Sequence, residues 1–254
     1  MADADNPTRV LIKLSGEALL GNLDFGIDPE AIRRIADQLR RIHDHGVQMG
    51  IVVGGGNLFR GRSAAESGMD RATADHAGML ATVINGLTLQ DALERAGLEV
   101  RTLSALNVDE VAEPYIRRRA RRHLEKGRVV LFVGGTGNPY VTTDTAAALR
   151  GVEMEAQQLF MAKSGTNGVY TADPQLDANA RRYVSISYRD AIGRNLGHVM
   201  DTAALSLCEE NDLPIMVFDI GPPDAIVQAV IDGSVGTLVG AVETRLTDEA
   251  PAAS

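Results

Sequence analysis

The stretch RVVLFVGGTGNPYVTTDTAAALRG, Arg128 to Gly151, joins an unbroken apolar run to a glycine-rich turn and then to an alanine-rich helical pattern. A short β-branched run with no polar alternation reads as a strand buried on both faces, as in a parallel sheet covered by helices. The turn ends in Thr142, Thr143 and Asp144 around the start of the helix. A helix start leaves N–H groups unpaired and hydroxyls add further hydrogen bonds, so this loop suits an anion or a polar ring.

The same unit recurs on either side. Apolar runs RVLIKL, VQMGIVV and LEVRTL precede it, each followed by a helical pattern over 29–45, 71–96 or 113–126. After the helix expected over 143–150 come AQQLFMAK, helical stretches near 188–195 and 199–211, PIMVFDI, a helix near 223–232 and GTLVG. This alternation predicts an α/β fold, a mainly parallel sheet with helices on both faces. In the first helix, Asp28 is the expected N-cap and Pro29 the first helical residue. Ala31, Ile32, Ile35, Ala36, Leu39 and Ile42 form one apolar stripe, and Gly46 ends it. Met79, Leu80, Val83 and Ile84 are expected in the core.

A chain of 254 residues, 44% of them hydrophobic, has ample material for a large core. The net charge of -9 argues against general nucleic-acid or anionic-membrane binding, so any phosphate must be met by a few placed cations. The one cysteine, Cys208, lies in an apolar helical setting and is expected to pack in the core. No signal peptide or spanning segment is visible, which predicts a cytoplasmic protein.

Of the 25 basic residues only Lys13, Lys126 and Lys163 are lysines. In a chain that otherwise uses arginine, a lysine marks a place for a compact ammonium. Lys126 fits a helix C-terminus before Gly127. Lys13 sits inside an apolar strand and is followed by Ser15-Gly16, which lets the backbone approach an oxyanion; the alternative is a lysine snorkelling at a sheet edge. Lys163 ends the fifth strand, before a turn at Asn167-Gly168 and the aromatic Tyr170.

GNLFRGRS, Gly56 to Ser63, nearly matches a P-loop, with Arg62 in the lysine position. It is not read as one, because arginine does not readily take that lysine's role and no helical pattern starts at Gly61. The narrower expectation is that Gly54 to Gly56 allow close backbone approach and that Arg60 or Arg62 grips a phosphate. From pattern alone Asp75 is a solvated helix residue, and the five arginines from Arg117 to Arg122 form a charged helix face. Asp144 is read either as a helix N-cap or as a carboxylate that positions a neighbouring lysine or a Mg-bound phosphate.

Six segments, LIKLSGEAL, GGGNLFRG, GMDRATADHAGMLATVINGL, GTGNPYVTTDTAAALR, MAKSGTNGVYTADP and VMDTAALSLC, resemble the bacterial uridylate kinase family, a branch of the amino acid kinase superfamily. The resemblance covers about residues 8 to 240 and implies a three-layer αβα sandwich that transfers the γ-phosphoryl group of ATP to UMP with Mg2+. It implies a flexible segment over 1–7, one kinase domain over 8–240 with an acceptor-binding first part and an ATP-binding second part, and a disordered tail over 241–254. Lys13, Leu14, Ser15, Gly16, Gly56 and Arg60 would face ATP phosphates, and Ser164, Tyr170 and Asp173 the ATP nucleoside. Gly55, Asp75, Thr136, Gly137, Asn138, Pro139, Tyr140, Val141, Thr142 and Thr143 would hold UMP, with Asp75 near its ribose. Lys13, Arg60, Asp144 and Lys163 would serve catalysis. The resemblance also implies a homohexamer activated by GTP and inhibited by UTP. Gly21, Asn22, Leu23, Asp24, Phe25 and Gly26 match a region tied to GTP activation, and the arginine-rich helix would contribute to the effector site. Asn167 and Gly134 depart from the family's usual aspartate and alanine, and Lys163-Ser164 follows a variant of the fifth-strand motif. A kinase for carboxylate or carbamate acceptors and a non-catalytic nucleotide sensor are the competing readings.

Overall fold

A computed structural model describes residues 8–174, 176–177, 179–194 and 200–247, with the Arg62 side chain excepted. The expected flexible segment 1–7 and the second half of the expected tail, 248–254, therefore lie outside the described residues. The elements run β1 (Arg9–Leu14), a 3-10 turn (Gly16–Leu19), α1 (Pro29–Asp44), β2 (Gln48–Val53), α2 (Gly61–Glu66), α3 (Arg71–Arg95), β3 (Val100–Ser104) and β4 (Glu113–Pro114). They continue with α4 (Arg117–Glu125), β5 (Val129–Val133), α5 (Thr143–Glu153), β6 (Gln158–Lys163), β7 (Tyr183–Ser187) and α6 (Tyr188–Gly193). The last are α7 (Thr202–Glu210), β8 (Ile215–Asp219), α8 (Ala225–Val227) with a π turn to Asp232, β9 (Thr237–Gly240) and β10 (Arg245–Leu246).

All ten strands form one sheet in the order β10-β7-β9-β8-β6-β1-β2-β5-β3-β4. Its pairs are parallel except β8 with β9 and β10 with β7. Side chains of α1, α3 and α8 pack on one face and those of α4, α5, α6 and α7 on the other, giving the expected three layers. β2 follows β1 on one side while β6 joins it on the other, so the chain changes direction across the sheet beside β1. Open α/β sheets bind ligands outside the carboxyl ends of strands at such a point.

Local signals explain α1. The Asp28 carboxylate accepts from the Glu30 N–H at 2.9 Å, Pro29 starts the helix and every residue of the expected stripe is buried. Cys208 is fully buried, and desolvation pushes its thiol up to about 12, as a core cysteine requires. No helix among the described residues is long and apolar enough to cross a membrane.

Several expectations are corrected. The fourth helix starts at Arg117 rather than 113, because Glu113–Pro114 pairs with β3 as a sheet edge. Leu80 and Ile84, expected in the core, are 49% and 53% exposed. They lie four residues apart on the outer side of α3, so the helix is apolar beyond the face it buries. β7 and β10 were not read from sequence, and Arg245–Leu246 adds an edge strand within the tail expected to be disordered from 241. A helix does start at Gly61, which removes one of the two grounds for rejecting a P-loop. The other stands, since Arg62 occupies the lysine position.

Candidate active site

β1 is a central strand, so Lys13 is no edge lysine: it is 6% exposed. Alternation puts Lys13 on the same sheet face as Leu11, toward the helix layer that contains α5. There Asp144 Oδ1 lies 2.9 Å from Lys13 Nζ, and Asp144 Oδ2 lies 3.4 Å from Lys163 Nζ at the end of β6. One carboxylate thus joins cations from two adjacent strands. Burial opposes the Asp144 charge, but the two lysines together hold its pKa below the ordinary value. For Lys163 the balance is reversed. Burial lowers its pKa, against the raising effect of Asp144 and with Lys13 adding repulsion.

The capping reading of Asp144 is overturned. Thr142 caps α5, its hydroxyl accepting from the Asp144 and Thr145 N–H groups at 3.2 and 3.3 Å, which leaves the Asp144 side chain to the lysines. The Thr142 hydroxyl in turn donates to Asp201, as does that of Thr145 at 2.9 Å. Asp201 also caps α7 through the Ala204 N–H at 2.7 Å. The segment VMDTAALSLC carried no assigned site residue in the sequence; through Asp201 it ties the start of α7 to the start of α5.

Lys13 opens into a cleft of about 410 Å³ lined by Ser15, Gly16, Gly54 to Gly56, Arg60 and Ser164 among others. The Ser15 hydroxyl is buried and has no hydrogen-bond partner among the described residues. Buried polar groups normally find partners, so this donor is available to a ligand oxygen. Arg60 is paired with Glu17 across the cleft mouth. A second cleft of about 210 Å³ is lined by Asp75, Gly61, Met79, Thr82, Gly135 and Val141. Gly55, Gly56 and Thr143 line both clefts, so the two cavities meet at the glycine loop and the start of α5.

Asp75 is not the solvated residue its pattern implied. Its side chain is 14% exposed, receives Arg71 Nε at 2.9 and 3.0 Å, and accepts the Tyr140 N–H at 2.7 Å. It therefore fastens α3 to the loop before α5. Tyr140 adopts φ +69, and the Arg71 guanidinium lies 5.5 Å from its ring centre. Thr136 accepts the Asn138 N–H at 3.2 Å, closing the turn that Pro139 follows. Gly134 sits at φ +75, a left-handed conformation glycine adopts without strain, which gives the departure from alanine a local reason.

Tyr170 and Asp173 line neither cleft. Tyr170 bridges to Arg182, and the Asp173 carbonyl accepts the Leu176 and Asp177 N–H groups in a turn. In the arginine-rich helix, Arg117 and Arg121 both pair with Glu155 at 3.1 and 2.6 Å, while Arg119 reaches Glu113 and Arg122 reaches Glu125. Gly21 and Gly26 have φ +55 and +99, and between them Leu23 and Phe25 are 47% and 69% exposed.

Two cavities that meet at a glycine loop, the larger of them lined by Lys13 and Lys163, suit two anionic ligands that must be brought together. Comparison with known proteins agrees. The chain is 53% identical over 233 residues to the uridylate kinase of Dichelobacter nodosus, covering 92% of this chain and 96% of that protein. Among solved structures it resembles the UMP kinase of Bacillus anthracis, with TM-score 0.91, 40% identity and coverage of 95% of this chain and 100% of that one. The UMP kinase of Ureaplasma parvum gives TM-score 0.87 at 40% identity, with 92% and 99% covered. The profile of the amino acid kinase family matches residues 8–219, and the chain belongs to that family, in its uridylate kinase branch.

Proposed function

We propose that this chain is an ATP:UMP phosphotransferase that makes UDP and ADP. The observation that carries the reading is the pair of clefts sharing Gly55, Gly56 and Thr143, the larger lined by Lys13 and Lys163, which Asp144 joins. The larger cleft takes the ATP phosphates on Lys13, Ser15 and Gly16 and on the backbone of Gly54 to Gly56. The smaller takes UMP, against Asp75 and the loop from Thr136 to Thr143. On this reading residues of the first part of the domain hold the ATP phosphates as well as UMP, and the second part adds Lys163 and Ser164 to the donor side.

In the reaction an oxygen of the UMP phosphate attacks the γ-phosphorus, the bond to the β–γ bridging oxygen breaks, and that oxygen leaves with ADP. Positioning and charge stabilisation supply most of the catalysis, since the protein forms no bond to the phosphoryl group. Lys13 and Lys163 offset the charge of the meeting phosphates, and Asp144 holds both ammonium groups in place. Arg60 must leave Glu17 to reach a phosphate. A bound magnesium ion would supply further neutralisation of the phosphate charge. Asp144, bonded to the two lysines of the larger cleft, is a hard oxygen donor that would fit such an ion, while no group of three ligating side chains occurs among the described residues. The ion would therefore be held chiefly by phosphate.

The exposed Leu80 and Ile84 on α3 support assembly into a homo-oligomer, in keeping with a homohexamer. GTP activation through Gly21 to Gly26, a contribution of the arginine-rich helix to that effector site, UTP inhibition and a cytoplasmic location belong to the same reading. ADP release from Mg-ATP, measured with UMP, CMP, dUMP, AMP, acetylglutamate and no acceptor, tests the whole. Turnover confined largely to UMP is expected, with a GTP-dependent change in its saturation curve. Turnover with acetylglutamate alone, or binding of ATP and UMP without turnover, would overturn the kinase assignment, and a GTP-independent curve would remove the activation.

A further inference from the structure

Asn57 and Asn85 are buried to 3% and 0% exposure beneath the glycine loop, and neither belongs to the cleft linings. Their amides bond reciprocally: Asn85 Nδ2 donates to Asn57 Oδ1 at 2.7 Å and Asn57 Nδ2 donates to Asn85 Oδ1 at 3.0 Å. The remaining hydrogens are also used. Asn85 Nδ2 donates to the Gly54 carbonyl at 2.7 Å, and Asn57 Nδ2 to the Gly26 carbonyl at 2.9 Å. Gly26 N–H returns a bond to the Asn57 carbonyl at 3.1 Å. All four side-chain N–H bonds are thus satisfied in a closed, buried network, where loss of one partner strands another.

Close contacts tie this pair to the other phosphate-facing loop. A Cβ on Gly16 would fall 2.5 Å from Asn57 Oδ1 and 2.7 Å from the Gly56 nitrogen, so Gly16 rests directly on the amide pair and the second loop. Asn85 reaches this position because Gly86 lets α3 press against the sheet; a Cβ there would fall 2.3 Å from Val133 Cγ1. Apolar packing would fill the same volume without fixing the Gly54 carbonyl, so the polar pair has a geometric use.

We infer that Asn57 and Asn85 are positioning residues that set the spacing of the Gly16 and Gly54–Gly56 loops, and so the alignment of the two phosphates for transfer. The pair touches no reacting atom and acts through the backbone of both loops. The segment ending at Gly26 is fastened to Asn57 through both its side-chain amide and its main-chain carbonyl. The inference rests on the phosphotransferase reading for its kinetic consequence, and on geometry alone for its effect on the loops.

The test is Asn85→Asp, which keeps the shape, replaces the donor with an oxygen facing the Gly54 carbonyl, and repels it. Three quantities are read: kcat, the separate dissociation constants of ATP and UMP by calorimetry, and amide hydrogen exchange over residues 14–17 and 54–58. The expected result is a fall in kcat of about 30-fold or more, each dissociation constant within about threefold of wild type, and faster exchange in both segments. A residue that merely stabilised the fold would lower the melting temperature without this split. A folded variant with kcat within threefold of wild type, or with unchanged exchange in both segments, overturns the inference. If Asn85→Asp does not fold, Asn57→Ser is read by the same criteria. Wild-type protein that fails to phosphorylate UMP removes the phosphotransferase reading, and the exchange measurement then still decides the role of the pair.

Discussion

Replacing Lys13 with alanine is expected to lower kcat by about 10³-fold while the protein stays folded. Lys13 is 6% exposed, in the central strand, on a cleft lined otherwise by glycine backbone, serine and threonine hydroxyls, Lys163 and the mutually paired Arg60 and Glu17. Charge on a transferring phosphoryl group is worth most to stabilise where water is excluded, so removing a cation there costs far more than removing one on the surface. Breaking a buried ion pair usually destabilises by about 3–5 kcal/mol because it leaves a bare charge. Here the cost is smaller, since Asp144 retains Lys163 at 3.4 Å. Thermal unfolding and steady-state kinetics on one preparation separate the two effects. Activity within tenfold of wild type would mean that Lys13 does not face the phosphates, and the donor assignment of the larger cleft would go with it.

What could be read in advance follows the range of the causes. Helix α1 was legible because cap, proline, stripe and terminal glycine are local signals. Lys13 was legible because a cation in an apolar strand contradicts its surroundings. The partnership of Asp144 with both lysines was not fixed by the residues, because it needs the α5 start set beside two strands whose adjacency only the sheet order gives. Asp75 was misjudged for a related reason. Its helical pattern carries no trace of Tyr140, which lies 65 residues away and donates its N–H to the carboxylate. Leu80 and Ile84 show the opposite error: periodicity marks a side chain as apolar and cannot say whether its cover comes from the same chain. The short α2 and the two-residue edge strands β4 and β10 are too brief to carry a period, and tertiary pairing decides them. The amide pair of Asn57 and Asn85 was invisible too, although VING, with a polar amide before a glycine inside an otherwise apolar helix face, is the local mark of a helix pressed closely against a neighbour.

Asp144→Asn is expected to lower kcat by about 10² to 10³-fold, with the UMP KM within a few-fold of wild type. The carboxylate joins the buried Lys13 to the partly buried Lys163, and its amide replacement leaves two ammonium groups facing one another without the negative charge that had partly offset them. Lys163, whose pKa burial already lowers, loses the attraction that opposed that shift and gives up its proton at lower pH still. The alkaline limb of the activity profile should therefore move toward acid in the variant. The acid side works in the other direction. The folded pKa of Asp144 lies below its unfolded value, so its contribution to stability is fully present above the unfolded value near 3.8 and is lost as pH falls through the depressed one. Wild type should lose stability in that acid range by a route the asparagine variant lacks. If the variant instead turns over normally at saturation while UMP binding collapses, Asp144 acts in acceptor recognition, and the two lysines are organised by something other than their shared carboxylate.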